Sequence, residues 1–131
     1  MRNDFTNKAV VITGGTKGIG LATGLQFAGQ GAHVYLTHRW GSADENEVRA
    51  KFEAISALEP VIVEADVSHD EDTVALLTQV KKDHEYVEVF VSNVCVVQPA
   101  NGIDSYEKRS LLKSIDYSAW PFIAYLQQMK A

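Results

Sequence analysis

The most informative segment of the sequence is Thr13-Gly14-Gly15-Thr16-Lys17-Gly18-Ile19-Gly20. It follows the short apolar run Ala9-Val10-Val11-Ile12 and opens a stretch of helix-forming character that runs from Gly18 to about Gln30. A glycine-rich turn between a strand and a helix is the context in which such a pattern indicates dinucleotide binding. Gly14 would permit the tight turn, Gly18 would let the backbone approach a pyrophosphate, and Gly20 would let the helix pack closely on the sheet. The helix N-terminus offers unpaired N–H groups to an anion, and the alternative is a glycine turn with no ligand.

Further strands are predicted at regular intervals after this segment. Gly31 stops the first helix, and a second apolar run follows it at His33-Val34-Tyr35-Leu36. A third, buried strand is predicted at Val61-Ile62-Val63, and a fourth at Val87-Glu88-Val89-Phe90-Val91-Ser92.

Helices are predicted between these strands and after the last of them. Capping boxes at Ser42-Ala43-Asp44-Glu45 and Ser68-His69-Asp70-Glu71 open the second and third helices. A long final helix is predicted from about Asp104 to Met129, with Pro121 expected to kink it. The predicted apolar faces of the three helices are Val48, Phe52 and Ile55; Val74, Leu77 and Val80; and Leu111, Leu112, Ile115, Ala119, Phe122 and Leu126.

Strands that alternate with helices predict a parallel sheet covered on both faces by right-handed crossovers. The expected fold class is therefore α/β, a doubly wound parallel sheet truncated after about four βα units. Its 131 residues predict a single domain over 1–131.

Composition excludes several classes of function. Twelve basic against 17 acidic side chains give a net charge of −5, which argues against an unspecialised nucleic-acid or anionic-membrane binder. The single cysteine, Cys95, cannot form an internal disulfide, and the first residues lack the apolar core of a secretory signal. A cytoplasmic location is the expectation. No metal site is predicted, because Cys95 and the four histidines have no metal-ligand spacing.

The glycine-rich segment resembles that of the short-chain dehydrogenase/reductases, which is written TGxxxGIG and matches Thr13 to Gly20. Asp66-Val67, after the third predicted strand, resembles the adenine-contacting pair of that family. Ser92-Asn93-Val94-Cys95 stands where the family carries NNAG, and Asn93 is its second asparagine. The resemblance implies an NAD(P)-binding Rossmann fold. It also implies that the cofactor-binding residues include Gly14, Thr16, Lys17, Gly18, Ile19, Gly20, Asp66, Val67 and Asn93.

The end of the second strand bears on the choice of nicotinamide cofactor. A carboxylate there would accept the ribose hydroxyls of NAD(H) and repel a 2′-phosphate. This sequence has His38 and Arg39 at that place, and Lys17 lies in the glycine loop on the same side. These residues favour NADP(H) over NAD(H), because a planar guanidinium holds a phosphate bidentately. The alternative is that the cations are solvated surface residues.

The catalytic residues that the resemblance implies are a tyrosine and a lysine four residues apart on a helix, a serine before them and an earlier asparagine. No Tyr-x-x-x-Lys occurs in the 131 residues, and the chain ends at Ala131, before the strand that would bring the serine. Asp116 stands at the place of the asparagine, and its alternative role is that of a helix carboxylate near Lys113. We expect this chain alone to bind cofactor without reducing a ketone.

Three functions remain open on the sequence. One is the cofactor-binding half of an NADP(H)-dependent oxidoreductase that transfers hydride to a carbonyl, with a 3-oxoacyl-type ketone among the possible substrates. Another is a non-catalytic nucleotide-binding or interaction subunit, and the third is a nucleotide-independent scaffold whose glycine loop is only a turn. In each case the fourth strand would be an unpaired edge, so a homo-oligomer or a complementing chain is expected through that edge and the final helix.

Overall fold

Four parallel strands form one sheet, described over residues 4–41 and 43–130 by a computed structural model. They are β1 (Ala9–Ile12), β2 (His33–His38), β3 (Val61–Glu64) and β4 (Val87–Val91), in the spatial order β3-β2-β1-β4. Ile12 lies opposite Leu36 on one side and Val91 on the other, so the carboxyl ends of the central strands are level. The predicted doubly wound α/β class is confirmed.

The sheet is covered on both faces because successive strand residues point to opposite sides. Val10, Ile12, Val34 and Leu36 pack in one apolar cluster with residues of α1 (Gly18–Ala28) and α2 (Glu45–Ala54). Val11 and Tyr35 pack in the other with residues of α3 (Asp70–Asp83) and α5 (Trp120–Lys130). Every residue of β1 is buried, as its position in the middle of the sheet requires.

The third strand is less buried than predicted. It pairs only with β2 among the described residues and forms one edge of the sheet, so Val61, Ile62 and Val63 are half-buried and Glu64 is exposed. The continuous apolar run indicated a strand correctly, but it could not distinguish a central strand from an edge strand.

The N-cap residues of α2 and α3 differ from those of the predicted capping boxes. In the first box, Ser42 lies outside the described residues, and the N-cap of α2 is Asp44, whose carboxylate accepts the Glu47 N–H at 3.1 Å. In the second, the Ser68 hydroxyl donates to Asp66 at 2.6 Å, and α3 begins after His69 with no side-chain cap. The Ser68 hydroxyl is therefore bonded to Asp66 and does not cap α3.

The apolar faces of α2 and α3 are partly as predicted. Val48 and Phe52 of α2 are buried, but Ile55 follows the end of the helix and is exposed. In α3 the buried positions are Thr73, Leu76, Leu77 and Val80, whereas Val74 is exposed. Leu77 and Val80 are thus buried as predicted, and Thr73 and Leu76 complete the buried face in place of Val74.

The final helix begins later than Asp104. A short 3₁₀ turn (Ile103–Ser105) precedes α4 (Lys108–Ser114), a π-helical turn (Ile115–Ala119) and then α5, and we call residues 108–130 the C-terminal helix. The π turn lies directly before Pro121, which has no N–H to continue the helical ladder. Among the described residues, none of the helices combines the length and apolar character needed to cross a bilayer.

The predicted apolar side of the C-terminal helix is exposed. Buried positions are found only in α5, at Pro121, Ala124 and Tyr125, and the Tyr125 ring stacks on Phe90 of β4 at 4.6 Å between centroids. The residues predicted to be buried but found exposed are Leu111, Leu112, Ile115, Ala119, Phe122 and Leu126. Apolar residues occur on more than one side of this helix, so periodicity did not identify the side that meets the sheet.

Candidate functional site

The loops that follow all four strands meet at the carboxyl edge of the sheet. They enclose a cavity of about 170 Å³ together with one residue of the π turn. The described lining residues are Gly14, Thr16, Lys17, Thr37, His38, Arg39, Ala65, Val67, Val94, Cys95, Val96 and Tyr117. None of them carries a carboxylate.

The glycine loop is fixed to β2 through backbone hydrogen bonds. The Gly14 N–H donates to the Thr37 hydroxyl at 3.1 Å, and the Gly15 N–H donates to the Thr37 carbonyl at 3.1 Å. Thr37 is buried within β2, so both of its acceptors are held rigidly. A polar residue inside an apolar strand is a signal that could have identified Thr37 from the sequence.

Asn93 fixes the same loop from the other side. Its side-chain amide donates to the Gly14 carbonyl at 3.1 Å, and its backbone N–H donates to the Thr13 hydroxyl at 3.0 Å. Asn93 does not line the cavity. Its observed role is to hold the glycine loop against the end of β4.

Each glycine of the loop has a distinct geometry. Gly14 has φ +62° and Gly18 has φ +57°, both in the left-handed region, and a Cβ at Gly18 would have no neighbour within 4 Å. At Gly20, a Cβ would lie 2.5 Å from the Gly14 carbonyl oxygen and 2.7 Å from Asn93 Nδ2. Gly20 therefore permits packing against the loop itself, and the glycine of α1 that faces the sheet is Gly24.

Cationic and polar groups at the end of β2 reach the cavity. The side chain of His38 is 6% exposed, and its Nε2 lies 3.6 Å from a Glu45 carboxylate oxygen. Among the described residues, His38 Nδ1 and Arg39 Nη1 are buried without a hydrogen-bond partner. Both atoms belong to residues that line the cavity, so the site holds polar groups that a ligand could satisfy.

Asp66 lies beside the cavity, between the lining residues Ala65 and Val67. Its carboxylate accepts the Ser68 N–H at 2.9 Å and the Ser68 hydroxyl at 2.6 Å. Partial burial acts to raise the pKa of Asp66, but the Ser68 hydrogen bonds, with help from His69 and Arg39, hold it below the ordinary value. The group is a carboxylate at neutral pH and can act only as an acceptor.

The predicted site residues divide into three groups. Those that line the cavity are Gly14, Thr16, Lys17, His38, Arg39 and Val67. Those that belong to the segments after β1, β3 and β4 but do not line the cavity are Gly18, Gly20, Asp66 and Asn93. Ile19 is 81% exposed at the start of α1, and Asp116 is exposed in the π turn and does not line the cavity. Sequence reasoning did not identify Thr37 or Tyr117, and nothing local in the sequence distinguishes Tyr117.

Comparison with known proteins gives a family-level match. The family model described as short chain dehydrogenase matches residues 8–129. A glucose 1-dehydrogenase of Gluconobacter oxydans is 35% identical over 95 residues, which are 70% of this chain and 34% of the relative. A chloroplastic NADPH-dependent aldehyde reductase of Arabidopsis thaliana is 25% identical over 114 residues, 83% of this chain and 40% of the relative.

A solved structure shares the fold over almost the whole chain. It is an NADH-dependent reductase complexed with NAD, with a TM-score of 0.84 at 19% identity, and the match covers 95% of this chain and 52% of that one. The present chain thus spans about half of that structure and two fifths or less of the two curated relatives.

Proposed function

Because the chain belongs to the short-chain dehydrogenase family, we propose that residues 1–131 form one domain, the NADP(H)-binding half of an oxidoreductase. The substrate class is a carbonyl and its alcohol. The observation that carries this proposal is the cavity lined by both the glycine loop and Arg39, with no carboxylate among its described lining residues.

Two features of the structure support binding of a dinucleotide by these residues. The backbone at Gly18 is open and left-handed at the N-terminus of α1, so a pyrophosphate could approach the helix N–H groups. Arg39 Nη1 and His38 Nδ1 are buried polar atoms without partners, and ribose or phosphate oxygens would satisfy them. Lys17, in the same loop, adds a second cation to that side of the cavity.

In the proposed function, the residues of this chain bind the dinucleotide and orient it. The α1 N-terminus would hold the pyrophosphate, the Asp66 carboxylate would accept the adenine amino group, and Arg39 with Lys17 would hold the 2′-phosphate. When bound, the nicotinamide supplies or accepts the hydride. The names of the relatives include both cofactor forms, so the preference for NADP(H) is supported by the residues of this chain alone.

The proposal is tested by titrating the 131-residue chain with NADPH and with NADH. Saturating NADPH should raise the melting temperature. Arg39→Ala should weaken NADPH binding by about 10- to 100-fold, because a charge-assisted hydrogen bond to phosphate is lost, and should leave NADH binding nearly unchanged. Arg109→Ala, on the exposed start of α4, is the matched control. The cofactor assignment fails if Arg39→Ala leaves the NADPH to NADH affinity ratio unchanged, and the dinucleotide site fails if neither cofactor binds.

A non-catalytic nucleotide-binding subunit is the second candidate. It is favoured by the position of Asp116, which is exposed outside the cavity, and by the lack of any Tyr-x-x-x-Lys in the 131 residues. In both cases the purified chain should bind NADPH and should not oxidise it in the presence of aldehydes or ketones. Turnover by this chain would contradict the argument from the absent tyrosine and lysine.

A further inference from the structure

The Arg39 guanidinium contacts two aromatic rings that come from different parts of the chain. Its guanidinium carbon lies 3.6 Å from the centroid of the Trp40 ring and 4.7 Å from the centroid of the Tyr117 ring. Trp40 follows the end of β2, whereas Tyr117 belongs to the π turn of the C-terminal helix. Both distances are within the range of a cation–π interaction.

Trp40 adopts a conformation that bulky residues rarely have. Its φ is +57°, in the left-handed region, and its side chain is 75% exposed. Such backbone strain in a non-glycine residue persists only where surrounding contacts require it, and it concentrates at functional sites. The indole is too exposed for its burial to explain the strain, and in this conformation its ring contacts the Arg39 guanidinium.

The Arg39 guanidinium keeps a donor that no described residue satisfies. Arg39 Nη1 is buried and makes no hydrogen bond within the described residues, and Arg39 lines the cavity beside Lys17. A guanidinium binds phosphate through its planar N–H edge. The arrangement therefore has the form of a donor group held in place for an acceptor.

We propose that Trp40 and Tyr117 are positioning residues that hold the Arg39 guanidinium for the 2′-phosphate of NADP(H). The inference rests on the proposed function, which supplies the phosphate, and adds to it the residues that set the discrimination. A free arginine side chain loses rotamer freedom when it binds a phosphate, and the aromatic clamp of Trp40 and Tyr117 removes much of that freedom beforehand. The clamp also connects the C-terminal helix to the adenosine end of the site.

The test compares ring removal with ring retention. Trp40→Leu and Tyr117→Leu should each weaken NADPH binding by about 2- to 5-fold, and the double variant by about 5- to 30-fold, because a cation–π contact at an exposed site has this strength. Trp40→Phe and Tyr117→Phe keep a ring and should retain most of the affinity. Calorimetric dissociation constants for NADPH and NADH are measured for each, and NADH should change by less than about twofold if only the 2′-phosphate contact is affected.

Several outcomes separate the clamp from the proposed function. Phe122→Leu removes an exposed ring of the C-terminal helix, which also contains Tyr117. This variant should leave the ratio of NADPH to NADH affinity unchanged. If Arg39→Ala changes the ratio but the double leucine variant does not, the clamp is wrong and the cofactor preference stands. If Arg39→Ala has no effect either, the proposed preference itself fails. Trp40→Leu lies in an exposed turn and provides the test even if Tyr117→Leu does not fold.

Discussion

Gly20 is the residue at which the glycine loop has the least free space. A methyl group there would lie 2.5 Å from the Gly14 carbonyl oxygen, 2.7 Å from Asn93 Nδ2 and 3.0 Å from the Gly15 Cα. Two of these neighbours are backbone atoms, so relief requires the loop to move. We expect Gly20→Ala to destabilise the fold by about 1–3 kcal/mol, the usual cost of overpacking, and to abolish the NADPH-dependent rise in melting temperature.

Gly29→Ala is the matched control for that substitution. Gly29 has φ −62° at the end of α1, and its Cβ would lie 3.4 Å from the Leu25 carbonyl oxygen, which is an ordinary contact. This variant should unfold at or above the temperature of the parent chain and bind NADPH normally. Equal melting temperatures and equal NADPH responses for the two variants would contradict the steric argument.

Single residues could be predicted where local chemistry specifies them. The glycine loop and Arg39 could be selected as candidate site residues because their spacing and charge are visible in the sequence, and the structure places both on one cavity. Tyr117 reaches the same cavity only through tertiary packing, from the π turn, whereas Thr37 could have been identified as a polar residue within the apolar β2. The assignments of cofactor contacts and of Asp116 stay predictions.

At the scale of elements, β2 and α3 are joined by a pair of histidines. His33 Nδ1, at the start of β2, lies 2.9 Å from His84 Nε2, at the end of α3, and the Tyr35 hydroxyl is 3.4 Å from the same His33 nitrogen. Burial lowers the pKa of His33 below its usual 6.5, with a further lowering from His84, and Asp83 opposes both. The neutral form of the His33 ring is therefore favoured in the folded chain.

This lowered pKa predicts a loss of stability in mild acid. Below pH 6.5 the unfolded chain protonates His33 before the folded chain does, so the unfolded state binds more protons and the free energy of unfolding falls as the pH falls. Above that pH the contribution is fully present. Urea unfolding across this range should show a shallower pH dependence for His33→Gln than for the parent.

The control is His69→Gln, which removes an exposed histidine at the start of α3. It should leave the pH dependence close to that of the parent. If both variants have the same slope as the parent below pH 6.5, the His33–His84 contact does not contribute to stability as argued.

The sequence predicted which segments are helices or strands better than it predicted which side of each element is buried. Apolar runs and helical periodicity correctly predicted all four strands and the helices α1, α2 and α3. They failed where a competing contact decided the outcome. The Ser68 hydroxyl donates to Asp66 and does not form the expected capping box. The C-terminal helix buries Ala124 and Tyr125, which are not on the predicted apolar side. These outcomes depend on which neighbour each element meets, and the sequence does not contain that information locally.

At the scale of the whole molecule, the alternation of strands and helices was enough to predict the parallel sheet and the open edge at β4. Parallel strands need crossovers, and right-handed crossovers place α1 and α2 on one face and α3 on the other. Among the described residues β4 pairs only with β1, so its outer edge has unpaired backbone groups. Edges of this kind form hydrogen bonds with other chains unless they are covered.

The C-terminal helix presents exposed apolar side chains, which are Leu111, Leu112, Ile115, Phe122, Ile123 and Leu126. A group of exposed apolar side chains of this size is typical of an association site. We expect the 131-residue chain to self-associate as its concentration rises, because burying this surface removes apolar area from water. Sedimentation velocity over a concentration series measures this directly.

Charge placed on that surface should oppose association without changing the fold. Ile123→Glu with Leu126→Glu puts two carboxylates on exposed positions of α5, where each would have to be desolvated in an interface. The double variant should stay monomeric at concentrations where the parent associates, and it should retain NADPH binding, since neither residue lines the cavity. Val74→Glu, an exposed apolar position on α3, is the matched control and should associate like the parent. A parent chain that stays monomeric throughout, or a Val74→Glu variant that dissociates equally, would show that the C-terminal helix is not the association surface.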